Sequence, residues 1–294
     1  MAYEVGNQST VTKFILVGFS EFPQIQASLF LLFLIIYTVT VVGNVGIIVV
    51  RRINPKLHTP MYFFLSHLSF LDVCYSSMIT PKLLEILVVE DRSISFSGCM
   101  TQFFFGCACV ITEMFMLAVM AYDRFVAVCN PLLYTVLCAL LVGGSYMWGG
   151  LCSLILTYSL LCAILSLSCS DTSFSQMACF IISTFNEVCN LLIILASYVF
   201  IIATVSRMPS KGGLCKAFST CASHLTEISI FHGVILLLYC VPPDKSSWLL
   251  VKVETALYSV MIPMLKPLIY SLRNRDVKET VRGLFYAKLA HHLC

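Results

Sequence analysis

Between Glu21 and Arg51 the chain carries no Asp, Glu, Lys or Arg. At about 1.5 Å per helical residue, such a window spans the ~30 Å of hydrocarbon in a bilayer. Inside hydrocarbon every backbone N–H and C=O must find its partner within the protein, and an apolar run of this length does so as a helix. Similar windows follow at about 58 to 80, 97 to 122, 137 to 162, 178 to 205, 218 to 241 and 248 to 270. Seven segments predict an all-α membrane protein, a seven-transmembrane helix bundle filling residues 1–294 as a single domain. Composition excludes a water-soluble core of this length: 59% of residues are hydrophobic, 11% are charged, and the mean hydropathy is +0.91.

An odd number of crossings puts the two ends on opposite sides. Arg51, Arg52, Lys56, Arg124, Arg207, Lys211, Lys216, Arg273, Arg275, Lys278, Arg282 and Lys288 fall on one side, and Lys13, Lys82, Arg92, Lys245 and Lys252 on the other. The richer side is cytoplasmic by the positive-inside rule, so residues 1–23 are expected outside the cell and 274–294 form a cytoplasmic tail. Asn7-Gln8-Ser9 then becomes a candidate glycan acceptor. The N-terminus lacks the pattern of a cleaved signal peptide, and the first helix is expected to act as the anchor. Val277, Val281, Leu284 and Phe285 share one face of a basic stretch, Asn274 to Leu289, which reads as a short amphipathic helix on the inner leaflet. Most of the fifteen cysteines lie inside the segments, where the thiol serves as a small hydrophobe. No basic stripe interleaved with aromatics is present, and nucleic acid is not an expected partner.

The third segment ends in Met120-Ala-Tyr-Asp-Arg-Phe-Val-Ala-Val-Cys-Asn-Pro-Leu-Leu-Tyr134. An Asp123/Arg124 pair at a membrane edge can hold its charges together in one state and release the arginine to a partner protein in another. With Gly43-Asn44, LHTPMYFFLSHLSFLDVCYSS (57 to 77), KAFSTCASHL (216 to 225) and PMLKPLIYSLRN (263 to 274), the order of these words resembles the tetrapod-type odorant receptors among the rhodopsin-like G-protein-coupled receptors. The resemblance implies a small volatile odorant as ligand, a heterotrimeric stimulatory (olfactory) G protein as partner, no cofactor, and residence in the plasma membrane. It also implies a switch built from Asp123, Arg124, Phe125, Tyr198, His224, His232 and Tyr270. His232 stands where the family has a tyrosine, and either side chain donates a hydrogen bond.

Two loops depart from the family pattern. Tyr134 is followed almost directly by Leu137-Cys138-Ala139-Leu140, and no charge occurs between Arg124 and Asp171. The fourth segment passes through Tyr158 and Cys162 straight into Ala163 to Cys169, so most of the second outer loop is missing. By resemblance that loop carries the cysteine that bridges to Cys99; Cys162 or Cys169 are the substitutes left, if their α-carbons come within ~7 Å.

Asp72 and Glu113 are carboxyls at membrane depth, each costing at least ~2.5 kcal/mol if charged and alone. In receptors of this kind the matching acids resemble a sodium site. Where the family has an asparagine before Pro267-Leu268-Ile269-Tyr270, this chain has Lys266, and its ammonium is expected to pair with Asp72, Glu113 or both. Lys266 does not reproduce the retinal-binding lysine of the opsins, which lies nearly two turns further out. The resemblance places a ligand pocket among Gly106, Cys107, Val110, Ile111, Ile182, Asn186, Ile235, Tyr239, Ala256 and Ser259. Such mostly apolar walls suit a small, weakly polar molecule. His224 and His232, eight residues apart, have no Cys or acid at metal-ligand spacing on their helix, and no metal is expected. The expectation is therefore a receptor and not an enzyme. Two rivals are a transporter or channel, which intramembrane charges also mark, and a receptor-like product of a decayed gene copy that cannot signal because its outer loop is cut short.

Overall fold

The computed structural model describes residues 2–5, 11–15, 23–89, 93–129, 143–148, 150–152, 154, 173–206, 222, 224–226, 228–233 and 259–269. Helical residues occur in each of the seven apolar windows. Helix α1 is Pro23–Ile53, α2 is Pro60–Val88, α3 is Phe96–Cys129, and a further helix covers Ser173–Val205. Shorter helical stretches lie within 143–154 and 222–233, and another is Ser259–Ile269. Among the described residues three stretches are long and apolar enough to cross a membrane: Gln26–Ile53, Phe96–Val126 and Thr184–Thr204.

Local chemistry sets the ends. Proline is favoured at the first helical position, where its missing N–H costs nothing, and α1 and α2 open on Pro23 and Pro60. Asn54 precedes Pro55 and is biased away from helical geometry, so α1 stops at Ile53, with Arg51 and Arg52 in its last turn. A single 3-10 turn, Pro55–Leu57, then leads to α2. Ser95 caps α3 by accepting a hydrogen bond from the Gly98 N–H at 3.1 Å.

The side chains are distributed as a lipid-facing protein requires. On the Ser173–Val205 helix Ile181, Phe185, Val188, Leu192, Leu195, Val199 and Ile202 recur at alternating four- and three-residue steps, and each is about half exposed or more. Asn186, Glu187, Asn190 and Ser197 of the same helix are buried. This is the reverse of a water-soluble amphipathic helix, with polar groups inside and apolar groups out.

One feature is additional to the helices. Strand β1 (Ala2–Val5) pairs antiparallel with β2 (Val11–Ile15), which pairs antiparallel with β3 (Ser93–Ser95), placing Phe14 opposite Ile94. Phe14 is buried and stacks on Phe96 at 6.0 Å between ring centroids. Hydropathy windows carry no signal for strands this short.

The chain divides into two compact units. One comprises Met1–Ile35, Ser77–Tyr122 and Val136–Ser197; the other comprises Ile36–Ser76, Asp123–Thr135 and Tyr198–Cys294. In the first, Ile111 and Cys152 are packed by Phe103, Cys107 and Phe115. In the second, Val50, Leu57, Tyr62 and Leu65 form a cluster with Ile47 and Met61.

Candidate functional site

In the second unit, α1, α2 and the Ser259–Ile269 helix meet through Gly43, Asn44, Asp72 and Lys266. A Cβ added at Gly43 would lie 3.0 Å from Pro267 Cγ, so the absence of a side chain is what admits the proline. Next to it the Asn44 amide donates to the carbonyls of Thr40 at 3.0 Å and Pro263 at 2.9 Å. Proline at position 267 leaves the Pro263 carbonyl without its usual helical donor, and Asn44 supplies one. Tyr75 donates to Ser259 Oγ at 3.4 Å, a further link from α2 to the same helix.

Lys266 and Asp72 are both almost wholly buried. Lys266 Nζ donates to Asp72 Oδ1 at 2.8 Å, and the side chains are 4% and 1% exposed. The ammonium also lies 5.9 Å from the centre of the Phe231 ring, at the outer limit of a cation–π contact. Of the two expected partners, Asp72 holds this bond; Glu113 is buried on α3. At Asp72 Oδ1 the lysine stands in the position a bound monovalent cation would need, so the donors present do not fit a resident sodium ion there.

The same unit holds the candidate switch. Asp123 is buried in the C-terminal part of α3, and the Arg124 guanidinium donates to the thioether of Met61 on α2. Tyr198 OH and His224 Nδ1 are 2.6 Å apart and both residues are buried, so the Ser173–Val205 helix is tied to the helical stretch within 222–233. Phe125 packs on Phe200 at 5.5 Å between ring centroids, and His232 is buried beside Phe231.

In the first unit the candidate pocket residues Cys107 and Ile111 belong to the cluster around Cys152, while Gly106 and Val110 are partly buried on α3. Nothing lies within 4 Å of a Cβ added at Gly106. Asn186 Oδ1 accepts from Trp148 Nε1 at 3.1 Å and from Cys152 Sγ at 3.9 Å, and its backbone carbonyl accepts from Asn190 Nδ2 at 2.8 Å. Phe115 meets Trp148 edge-on at 5.9 Å. Trp148, Cys152, Phe115 and Asn190 are absent from the sequence-based site. Asn190 carried a signal: it stands one helical turn after Asn186 in an otherwise apolar stretch.

Cys99 is partly buried and has no disulfide partner among the described residues. Ser259 is buried. Asn7, Cys162, Cys169, Ile235, Tyr239, Ala256, Tyr270 and the stretch 274–289 lie outside the described residues, as does the side chain of Ile182.

Comparison with known proteins accounts for nearly the whole length. The family model described as olfactory receptor matches residues 33–149 and 140–288. Olfactory receptor 1165 of Mus musculus is 70% identical, with 99% of each chain covered. Olfactory receptor 5D18 of Homo sapiens is 59% identical over 95% of this chain and 96% of its own, and olfactory receptor 5D13 of Homo sapiens 58% over 97% and 98%. The alignment with the mouse receptor runs to 314 positions against 294 residues here, so at least 20 of its positions face gaps.

Proposed function

The chain belongs to the olfactory receptor family, and on that premise we propose how its own residues carry odorant reception. It is an odorant receptor of the G-protein-coupled superfamily and a multi-pass membrane protein. The finer reading is a plasma-membrane receptor forming one domain, with an extracellular N-terminus glycosylated at Asn7, which couples to the stimulatory olfactory G protein and is not an enzyme. A small volatile ligand binds among Gly106, Cys107, Val110, Ile111, Ile182, Asn186, Ile235, Tyr239, Ala256 and Ser259. Binding shifts the helices, frees Arg124 from its resting contact and opens an inner cleft.

The observation that supports this most directly is the position of Arg124: partly buried and engaged by Met61, in the unit that also holds the buried Tyr198–His224 pair. A thioether is a weak acceptor for a guanidinium, so a stronger one offered by a partner protein wins the arginine at little cost. Lys266 serves as a fixed cation at Asp72, holding the Ser259–Ile269 helix to α2 in the resting state.

Cells expressing the receptor, screened with an odorant panel for cyclic AMP, provide the test. Arg124→Ala is expected to abolish the response at unchanged surface level. A full response from that variant would falsify the switch.

A further inference from the structure

Asn186 and Asn190 sit one turn apart on the Ser173–Val205 helix, 3% and 0% exposed. The orientation of the Asn186 amide is settled by chemistry, because the indole N–H of Trp148 can only donate and the atom 3.1 Å away must be the oxygen. That oxygen also takes the Cys152 thiol, and among the described residues no hydrogen bond uses the Asn186 Nδ2. Asn190 is the complement: its Nδ2 is spent on the Asn186 carbonyl, and its Oδ1 is buried with no hydrogen-bond partner among the described residues. A buried polar atom left unmade costs about 1–3 kcal/mol, so two amides kept here need a reason. Apolar walls stand alongside, since Cys152 touches both Asn186 and the cluster of Ile111, Phe103, Cys107 and Phe115.

An amide N–H to give and an amide oxygen to receive, on residues about 6 Å apart along the axis with Asn190 leaning back onto the Asn186 carbonyl, suit a group that both accepts and donates. A hydroxyl is the simplest odorant group that does both, accepting from Asn186 and donating to Asn190. Ethers, ketones and aldehydes accept only, and would leave Asn190 Oδ1 unmade. We propose that Asn186 and Asn190 form a hydroxyl-reading pair, so that this receptor selects small alcohols over their ethers and carbonyl analogues. The inference rests on the odorant-receptor reading and names the ligand class for it.

The experiment uses the full chain in cells, with surface labelling and cyclic AMP read together. The probes are primary alcohols of increasing chain length, each beside its methyl ether and its aldehyde. Alcohols are expected to act at concentrations at least about tenfold lower than their partners, since a site built to bond a hydroxyl strongly rejects analogues that lack it. Asn190→Leu should erase that gap by weakening the alcohols alone. Asn190→Ser should keep most of it, because a serine hydroxyl can bond the same carbonyl and still offer a lone pair. Equal potency of alcohols and ethers in the parent, or a gap that survives in Asn190→Leu, overturns the proposal and leaves the amides as ties between helices. A surface-delivered chain that answers none of the compounds nor any other odorant sinks the receptor reading itself, which is a different failure.

Discussion

An ammonium and a carboxylate taken out of water each lose hydration worth several kcal/mol even after the protein relaxes, and at Lys266 and Asp72 their 2.8 Å bond is what offsets it. Removing one partner is therefore worse than removing both. Lys266→Met should lower stability by about 3–5 kcal/mol, because it takes the ammonium away from the buried Asp72 carboxylate. Lys266→Asn restores the amide expected from the family and should lose less, while making the protein dependent on a small cation from solution. Thermal unfolding of purified receptor in sodium against a large organic cation separates the cases: the parent should be indifferent and the Asn variant stabilised by sodium. Equal stabilisation of both would show that Lys266 does not stand in for an ion. The pair was half legible in the sequence, since an ionisable residue in an apolar window announces itself. The 2.8 Å bond to Asp72 was not, because Asp72 and Glu113 are equally conspicuous in the sequence and only three-dimensional placement shows it. Trp148 and Cys152 gave less warning still: each passes for ordinary packing until Asn186 is set beside them.

Helices keep going where hydropathy stops, and α2 shows why. The apolar window ends near residue 80, yet α2 runs on to Val88 through Lys82 and Glu85, which sit three residues apart and pair at 3.0 Å on the helix surface. Charge ends a membrane span but not a hydrogen-bond ladder. The strand pairing of β1, β2 and β3 was illegible for a different reason, since the residues that pair β2 with β3, Phe14 and Ile94 among them, lie far apart in the chain. Between elements, the contact of α1 with the Ser259–Ile269 helix rests on one missing side chain. Gly43→Ala would force a Cβ to within 3.0 Å of Pro267 Cγ, in a ring that cannot swing aside. A loss of about 1–3 kcal/mol is expected from such overpacking. Gly46, three residues on, has nothing within 4 Å of an added Cβ, so Gly46→Ala should be neutral or mildly stabilising. Matching melting temperatures for the two variants would mean that helix propensity, not the close approach, governs this position.

For the whole molecule the decisive quantity is length. At least 20 positions of the mouse relative have no counterpart here, and the two matched stretches of the family model meet at 140–149, near the start of the fourth segment. A bundle tolerates such losses only if its helices still find their places unaided. An outer loop bridged to the third helix fixes that helix at the oxidising face of the membrane, and closing a long loop with a disulfide typically adds about 2–4 kcal/mol. Here Cys99, in the first turn of α3, has no disulfide partner among the described residues. A membrane protein short of that stabilisation is held back by quality control more than it is unfolded outright, because a 1–2 kcal/mol deficit already changes abundance several-fold. Restoring a second outer loop of family length with its cysteine should therefore raise surface delivery several-fold, read by surface labelling against total protein. The gain should vanish when Cys99→Ser is made in the lengthened chain, because the bridge and not the added residues does the stabilising. Mass mapping of the unmodified chain should find Cys99 alkylated without prior reduction. A uniform bridge from Cys99 to Cys162 or Cys169, or a lengthened loop that leaves delivery unchanged, would show that the shortened chain already holds its outer end together.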